Sequence, residues 1–299
     1  MPAPDDPLTF ALALLSLDGV GRVTTRRLLD QFDGYEDLRR YPREQIRTRL
    51  RGVPGADRLV ERLLDRTAME EALSDARKTL EALQARRLTL LAPPSPGWPD
   101  GIDDLEGSDR PVLLYAYGHT AILQQPRVAL LARPPLSEAA FETAQALVRH
   151  LLAAGVVPVT GTQTGFDVVI HKLSTLHDPP RPTLMVAPCG LARIVPSNRP
   201  MVSAAVRAGG LCLSSFPLHH GPFSHDDRER ALLQAALAHA AVFVEPTADT
   251  PEAAALDWAH AHHRPVFGIS ASPPDDDRLH PLREPIDFDW VLAAVRHRS

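Results

Sequence analysis

Residues suited to gripping phosphate gather in three stretches of the second half of this 299-residue sequence. Arg133-Pro134-Pro135-Leu136-Ser137 follows an apolar run, and Ser137 is placed to cap a helix that starts after it. Gly161-Thr162-Gln163-Thr164-Gly165 stands between a β-branched run and an apolar helix carrying Asp167, His171 and Lys172. Its two glycines leave bare backbone N–H groups and room for an anion. Arg228 and Arg230 open a further helix together with Asp226, Asp227 and Glu229. The chemistry these types support is the holding of phosphate by N–H groups and guanidinium forks, which needs no catalytic residue. The glycine pair lacks the spacing of a dinucleotide fingerprint or a P-loop, and a plain tight turn is its other reading. His171 has a plain reading too, as the hydrogen-bonded partner of Asp167 one helical turn earlier.

Cys189 and Cys212 are too few and too far apart for a zinc site or a disulfide framework and read as small core residues. His219-His220, His260 and His262-His263 lack the spaced partners of a metal site, so neither metal nor cofactor is expected. Near the N-terminus, Leu17 to Leu29 reads as a helix-hairpin-helix. Gly19 and Gly21 form its turn, and the N–H groups of the helix after it are able to face a phosphate, with Arg22, Arg26 and Arg27 adding charge. Hairpins of this kind also serve only to pack. Arg39, Arg40, Arg43, Arg47, Arg49 and Arg51 sit close together with Glu44 the only acid among them, either as a phosphate-contacting patch or as a solvated helical face.

The elements that must position these residues change in kind along the chain. Residues 8–84 show apolar residues at three- and four-residue intervals throughout, so they predict helices. Ala56–Arg86 reads as one long helix or as two broken near Ala68–Glu71. Prolines forbid regular structure through 89–110. From Pro111, short apolar runs (Val112–Ala116, Val128–Ala132, Val156–Thr160, Thr183–Ala187, Leu211–Ser214, Val242–Glu245 and Val266–Ile269) alternate with alanine-rich helices, which predicts a parallel sheet with right-handed crossovers. The expected fold is therefore α/β: a Rossmann-like parallel sheet with a small all-α helix-hairpin-helix (SAM-like) N-terminal domain. Its parts are 1–88 helical, 89–110 proline-rich linker and lead-in, 111–272 Rossmann-like, and 273–299 a polar tail with a short helix near Trp290–Val295. In such a sheet, ligands sit at the carboxyl ends of the strands, where the three stretches fall.

Charge and composition narrow the function further. The formal net charge of −5 argues against coating duplex nucleic acid by bulk electrostatics. Residues 1–92 carry 16 basic against 15 acidic side chains, the remainder 16 against 22. Aromatics are 5% of the chain, too few to suggest interleaved base-stacking rings. No apolar stretch reaches the roughly 18–20 residues that span a bilayer, and the N-terminus lacks the basic start of a signal peptide. A cytoplasmic protein without a membrane partner is expected.

Taken in order, the loops resemble the DprA/Smf DNA-processing family from about Leu8 to Ile269. The family's "VAIVGSR..S" is mirrored by Val128 to Ser137, "VSGLA.GID..AH" by Val159 to His171, and "GLD..YP..N" by Gly190, Leu191 and Pro196. "G.LLSEYP" is mirrored by Gly210 to Pro217, and the closing "VVEA…GRPVFAVPG" by Phe243 to Glu245 and Arg264 to Gly268. The resemblance implies a member without the C-terminal winged-helix-like domain found in some relatives. It further implies a non-enzymatic protein that binds single-stranded DNA and helps load a RecA-type recombinase in natural transformation and recombination. The implied nucleic-acid contacts are Arg133, Ser137, Gly161, Thr164, Gly165, Asp167, His171, Lys172, Arg228 and Arg230. The sequence departs from the family at several of them. The G-S-R arginine moves back one place to Arg133, a frequently basic slot is Thr164, the "SEYP" glutamate is Ser215, and "F..RNR" becomes Phe223 with Arg228 and Arg230.

A homodimer is expected from the resemblance and from the alanine-rich Ala231–Ala241 helix, whose apolar face suits self-association. Two other functions stay open. One is a diverged interaction platform that has lost DNA binding. The other is a nucleotide-binding, phosphoribohydrolase-like Rossmann protein, whose glycine-rich "PGG.GT..E" loop is represented here by the glycine-free Glu245–Glu252.

Overall fold

The computed structural model describes residues 6–95, 97–163, 165–271, 276–283 and 285–296. The chain divides into two compact units, residues 1–98 with 106–114 and residues 99–105 with 115–299.

The first unit is built of α1 (Pro7–Ser16), α2 (Arg22–Leu29), α3 (Tyr35–Leu38), α4 (Arg43–Arg49), α5 (Ala56–Leu64), α6 (Arg66–Ala85) and a strand, β1 (Leu88–Leu91). Their apolar stripes meet in one core that includes Phe10, Leu14, Leu28, Leu38, Ile46, Leu63 and Met69. The break in the long helical pattern falls at Asp65, not at Ala68–Glu71. The Asp65 carboxylate accepts from the Thr67 and Ala68 N–H groups at 3.1 and 3.2 Å, and such a cap is worth about 1 kcal/mol. The leucine stripe runs across the break and hides it, because both helices bury the same kind of face. The proline-rich stretch is not free of structure, since it contains β1 and the buried Ile102 and Leu105. Prolines keep an α-helix out of it but leave room for that strand and for a 3-10 helix at Asp100–Asp104.

The second unit contains β2 (Leu114–Gly118), β3 (Arg127–Ala132), α7 (Glu138–Ala153), β4 (Val157–Thr160), α8 (Phe166–Thr175), β5 (Leu184–Val186), α9 (Arg199–Arg207), β6 (Leu211–Ser214), α10 (Asp226–Ala236), β7 (Ala240–Val244), α11 (Pro251–Ala261), β8 (Val266–Ile269), β9 (His280–Pro281) and α12 (Phe288–Arg296). Its strands run in the order β2-β6-β5-β4-β3-β7-β8-β9. From β6 to β9 every neighbour is parallel. These strands are buried along nearly their whole length, as covering helices require. The exception is β2, which pairs antiparallel with β6, Tyr115 opposite Ser214 and Gly118 opposite Leu211. Residues 119–126 hold only a short 3-10 turn. That is less than the dozen or so residues a parallel crossover needs, so the chain returns reversed.

One core joins Val128, Leu130 and Val242 of the sheet to Leu147 and Leu151 of α7, Ile170 of α8, and Phe288, Val291 and Val295 of α12. The expected polar tail is therefore part of this unit. Phe288, Val291, Leu292 and Val295 repeat at helical spacing and bury one face, and β9 adds a parallel edge to β8. The alanine-rich helix is also corrected. It ends at Ala236, and Ala231, Leu232, Leu233, Ala235 and Ala236 are buried inside the chain, where α10 packs against α11, β3 and β5. Its apolar face is spent on the fold, so it offers no dimer surface.

Candidate nucleic-acid interface

The strand order reverses between β3 and β7, and the loops that leave their carboxyl ends part there, opening the crevice in which such sheets hold ligands. The two loops are tied together. Ser137 caps α7 by accepting from the Ala140 N–H at 3.3 Å, and it also donates its own N–H and hydroxyl to the Glu245 carboxylate at 2.8 and 2.6 Å. Burial works to raise the Glu245 pKa, but the bonds from Ser137 and the Ala271 backbone prevail and hold it below the usual value. Ser137 is thus engaged inside the scaffold.

The glycine loop between β4 and α8 is clamped from several sides. Asp167 accepts from the Thr160 hydroxyl and from the Gly161 and Gln163 N–H groups, the latter two at 3.0 Å. A Cβ on Gly161 would lie 2.5 Å from the Asp167 Oδ2, and Gly165 turns into α8 at φ +77°. Asn198 donates to the Thr162 carbonyl at 2.8 Å. His171 lies beneath, 1% exposed. Its Nε2–H donates to the Gly161 carbonyl at 3.0 Å, which leaves Nδ1 to accept from the Thr183 hydroxyl at 3.0 Å. Burial pushes its pKa down against the opposing pull of Gly161 and Asp167, so the ring is neutral.

Two expectations are corrected by this geometry. The Gly161 and Gln163 N–H groups point inward to Asp167, so the glycine loop does not present them to a ligand. His171 bonds Gly161 and Thr183 instead of Asp167, and its burial keeps it from touching a strand. Both follow from Asp167 turning back over its own loop, where its lone pairs are consumed. Lys172 is exposed on α8, and Thr164 lies outside the described residues.

Beside the loop stands a cluster of alternating charges. Arg133 Nε meets Glu252 at 2.9 Å and its terminal nitrogen reaches Asp227 at 3.7 Å. Arg230 bonds the other Glu252 oxygen at 2.7 Å, Asp227 at 3.3 Å, and Gln234. Gln163 donates to Asp227 at 3.0 Å and so joins the cluster to the glycine loop. The Arg230 and Glu252 side chains are 5% and 4% exposed, whereas Arg133 is 42% exposed at the rim. Burial tends to raise the Glu252 pKa, but the Arg230 charge and the Arg133 hydrogen bond keep it below the ordinary carboxylate value. Two cations face two anions, so the cluster carries no net charge. Arg228 is exposed on the first turn of α10.

Arg133, Thr162, Gln163, Cys189, Asn198 and Glu252 are among the residues that line a cleft of about 510 Å³. Burial pushes the Cys189 thiol up to about 11, which leaves it protonated and unreactive near neutral pH. The structure brings Arg133, Gly161, Gly165, Asp167, His171 and Arg230 to this one region. Sequence reasoning missed Glu252, Asp227 and Asn198. The signal for Glu252 was its place after Thr250-Pro251, a helix start at a strand's carboxyl end.

Gly19 takes φ +79° and Gly21 precedes α2, so the hairpin turn is formed. Two of its three arginines are engaged, Arg22 with the Ser108 carbonyl at 3.2 Å and Arg26 with that of Pro111. In the arginine cluster, Arg39 pairs with Glu36, Arg43 with Glu61, and Arg47 with Glu44 and Asp57, while Arg49 lies over the Phe32 and Tyr41 rings. Four of the six arginines are thus ion-paired or stacked on rings.

Among the described residues no helix is long and apolar enough to cross a membrane, and no cluster of side chains is arranged to hold a metal ion. No curated protein matches this chain. The X-ray structure of DNA processing protein A (DprA) from Streptococcus pneumoniae superposes with a TM-score of 0.70 at 18% identity, over 96% of this chain and 97% of that one. DNA processing protein A from Helicobacter pylori, described for its single-stranded DNA binding mode, superposes at 0.59 with 21% identity, over 70% of this chain and 97% of that one. These likenesses show the fold. Residues 89–279, which carry the glycine loop, the charge cluster and the cleft, match the family model of DNA recombination-mediator protein A, and the chain belongs to that family.

Proposed function

We propose that this protein binds single-stranded DNA across the cleft at the carboxyl ends of β3, β4 and β5, without a catalytic step, and passes it to a RecA-type recombinase. The observation that carries the reading is the placement of Arg133. Its guanidinium is held by buried Glu252 yet stands partly open at the rim, beside a loop that is already folded. A cation fixed in this way meets a phosphate with little further ordering to lose. Arg228, exposed on the first turn of α10 next to Asp227, adds charge along the strand's path. Glu252, paired with two guanidiniums, serves here as the counter-ion that fixes Arg133 at the rim.

The neutrality of the charge cluster favours one second reading, a platform for protein partners without DNA binding. Fluorescence anisotropy with labelled oligo-dT and oligo-dA separates the two. Arg133→Ala and Arg228→Ala should each weaken both oligonucleotides alike, and each should flatten the log–log salt dependence by about 0.7. Unchanged affinity in both variants, with native circular dichroism, would leave the platform as the better account. A homodimer, in line with the family likeness, would have to use a surface other than α10. Light scattering at tens of micromolar tests it.

A further inference from the structure

The turn between β6 and α10 holds a ladder of rings. Phe216 stacks on His220 with centroids 4.6 Å apart and planes 4° from parallel. His220 meets Phe223 edge-on at 5.2 Å, and Phe223 lies parallel to His225, again at 4°, with centroids 5.6 Å apart. The inner end of the ladder is buried at Phe216, while Phe223 is 53% exposed and the His225 side chain 77% exposed. Every other described phenylalanine is buried or half-buried. An apolar ring left open costs hydrophobic free energy in proportion to the area that stays wet.

The exposed ring is held in place rather than left loose. Asp226, 2% exposed, accepts from the Phe223 N–H at 3.1 Å and from His220 Nε2 at 3.1 Å. Arg193 donates to the Gly221 carbonyl at 3.0 Å. The neighbouring Pro222 lines the cleft, and Asp227, next to Asp226, bonds the glycine loop through Gln163. A half-exposed ring on an anchored backbone turn therefore adjoins a cleft whose rim carries Arg133, with Arg228 five residues further along the chain.

We propose that Phe223, supported by His225, is a stacking platform for an unpaired base of the bound strand. The proposal rests on the single-stranded DNA reading given above. An exposed apolar ring next to a cleft that Arg133 lines suits a nucleobase, because every base offers a π-face whatever its identity. Phosphate contacts at Arg133 would then set the path of the strand, and Phe223 would take one base out of water.

The test compares oligo-dA with an abasic oligonucleotide of equal length, using wild-type protein, Phe223→Ala and Phe223→Trp. Phe223→Ala should bind oligo-dA about tenfold more weakly and the abasic strand as wild type does. Phe223→Trp should keep the affinity for oligo-dA, with indole fluorescence quenched by oligo-dA and not by the abasic strand. Equal binding of oligo-dA by wild type and Phe223→Ala overturns the platform and points to a protein partner on this ring. Equal weakening of both strands overturns it in favour of a structural role. Wild-type protein that binds neither strand overturns the DNA-binding reading itself.

Discussion

Glu252 is the residue on which the candidate site's electrostatics turn, and Glu252→Gln removes its charge while keeping its shape. The carboxylate bridges Arg133 and Arg230 at 2.9 and 2.7 Å, and the Arg230 side chain is nearly as buried as its own. Removing one partner of a buried pair costs about 3–5 kcal/mol, because a desolvated cation is left behind. Asp227 remains 3.3 Å from Arg230 and 3.7 Å from Arg133 and retains part of the pairing, which places the cost near the low end, about 3 kcal/mol. At roughly 2–4 °C for each kcal/mol, thermal unfolding followed by calorimetry at pH 7 should shift down by about 6–12 °C. The same substitution leaves the cluster with one uncompensated positive charge. Oligo-dT binding should tighten at low salt and its log–log salt dependence should steepen by about 0.7. A melting temperature within a degree of wild type would refute the reasoning, since it would mean that the bridge contributes nothing to the fold.

Two further substitutions probe the glycine loop. His171 is neutral in the fold with a pKa below its ordinary value of about 6.5, so the unfolded chain binds its proton first as pH falls. Its contribution to stability is complete above about pH 6.5 and is lost as pH drops toward the folded pKa; urea titrations from pH 7.5 to 5 should show this decline in wild type and a flatter profile in His171→Gln. Gly161→Ala sets a methyl group against the Asp167 carboxylate, and displacing that carboxylate from its N–H donors should cost about 2 kcal/mol and weaken oligo-dT binding; native stability and affinity would show that the loop tolerates the shift.

Much of this architecture was legible because it is written locally. Continuous apolar runs such as Val128–Ala132 and Val242–Glu245 announce parallel strands, and Gly161 and Gly165 mark the turn that the Asp167 carboxylate closes. What was not legible depends on partners far apart in sequence. Arg133 and Glu252 are 119 residues apart, and no local pattern says that a rim arginine meets a buried glutamate. The direction of β2 follows from a short connection whose destination is tertiary. The helix at Phe288–Arg296 shows its apolar spacing, but proline-rich surroundings disguise it as a tail. The ring ladder was missed for a compositional reason. The chain is poor in aromatics, and here histidines supply half of the stacked rings.

The central claim is that a single strand lies across the carboxyl ends of β3, β4 and β5. Photocrosslinking of oligonucleotides carrying 5-iododeoxyuridine, followed by peptide mass spectrometry, reads this directly. Crosslinked peptides should come from residues 133–137, 161–172 and 188–198, with the adjoining 216–230, and should disappear when unlabelled oligo-dT competes. Crosslinks confined to the helices of residues 6–85, with none in those four segments, would contradict the claim.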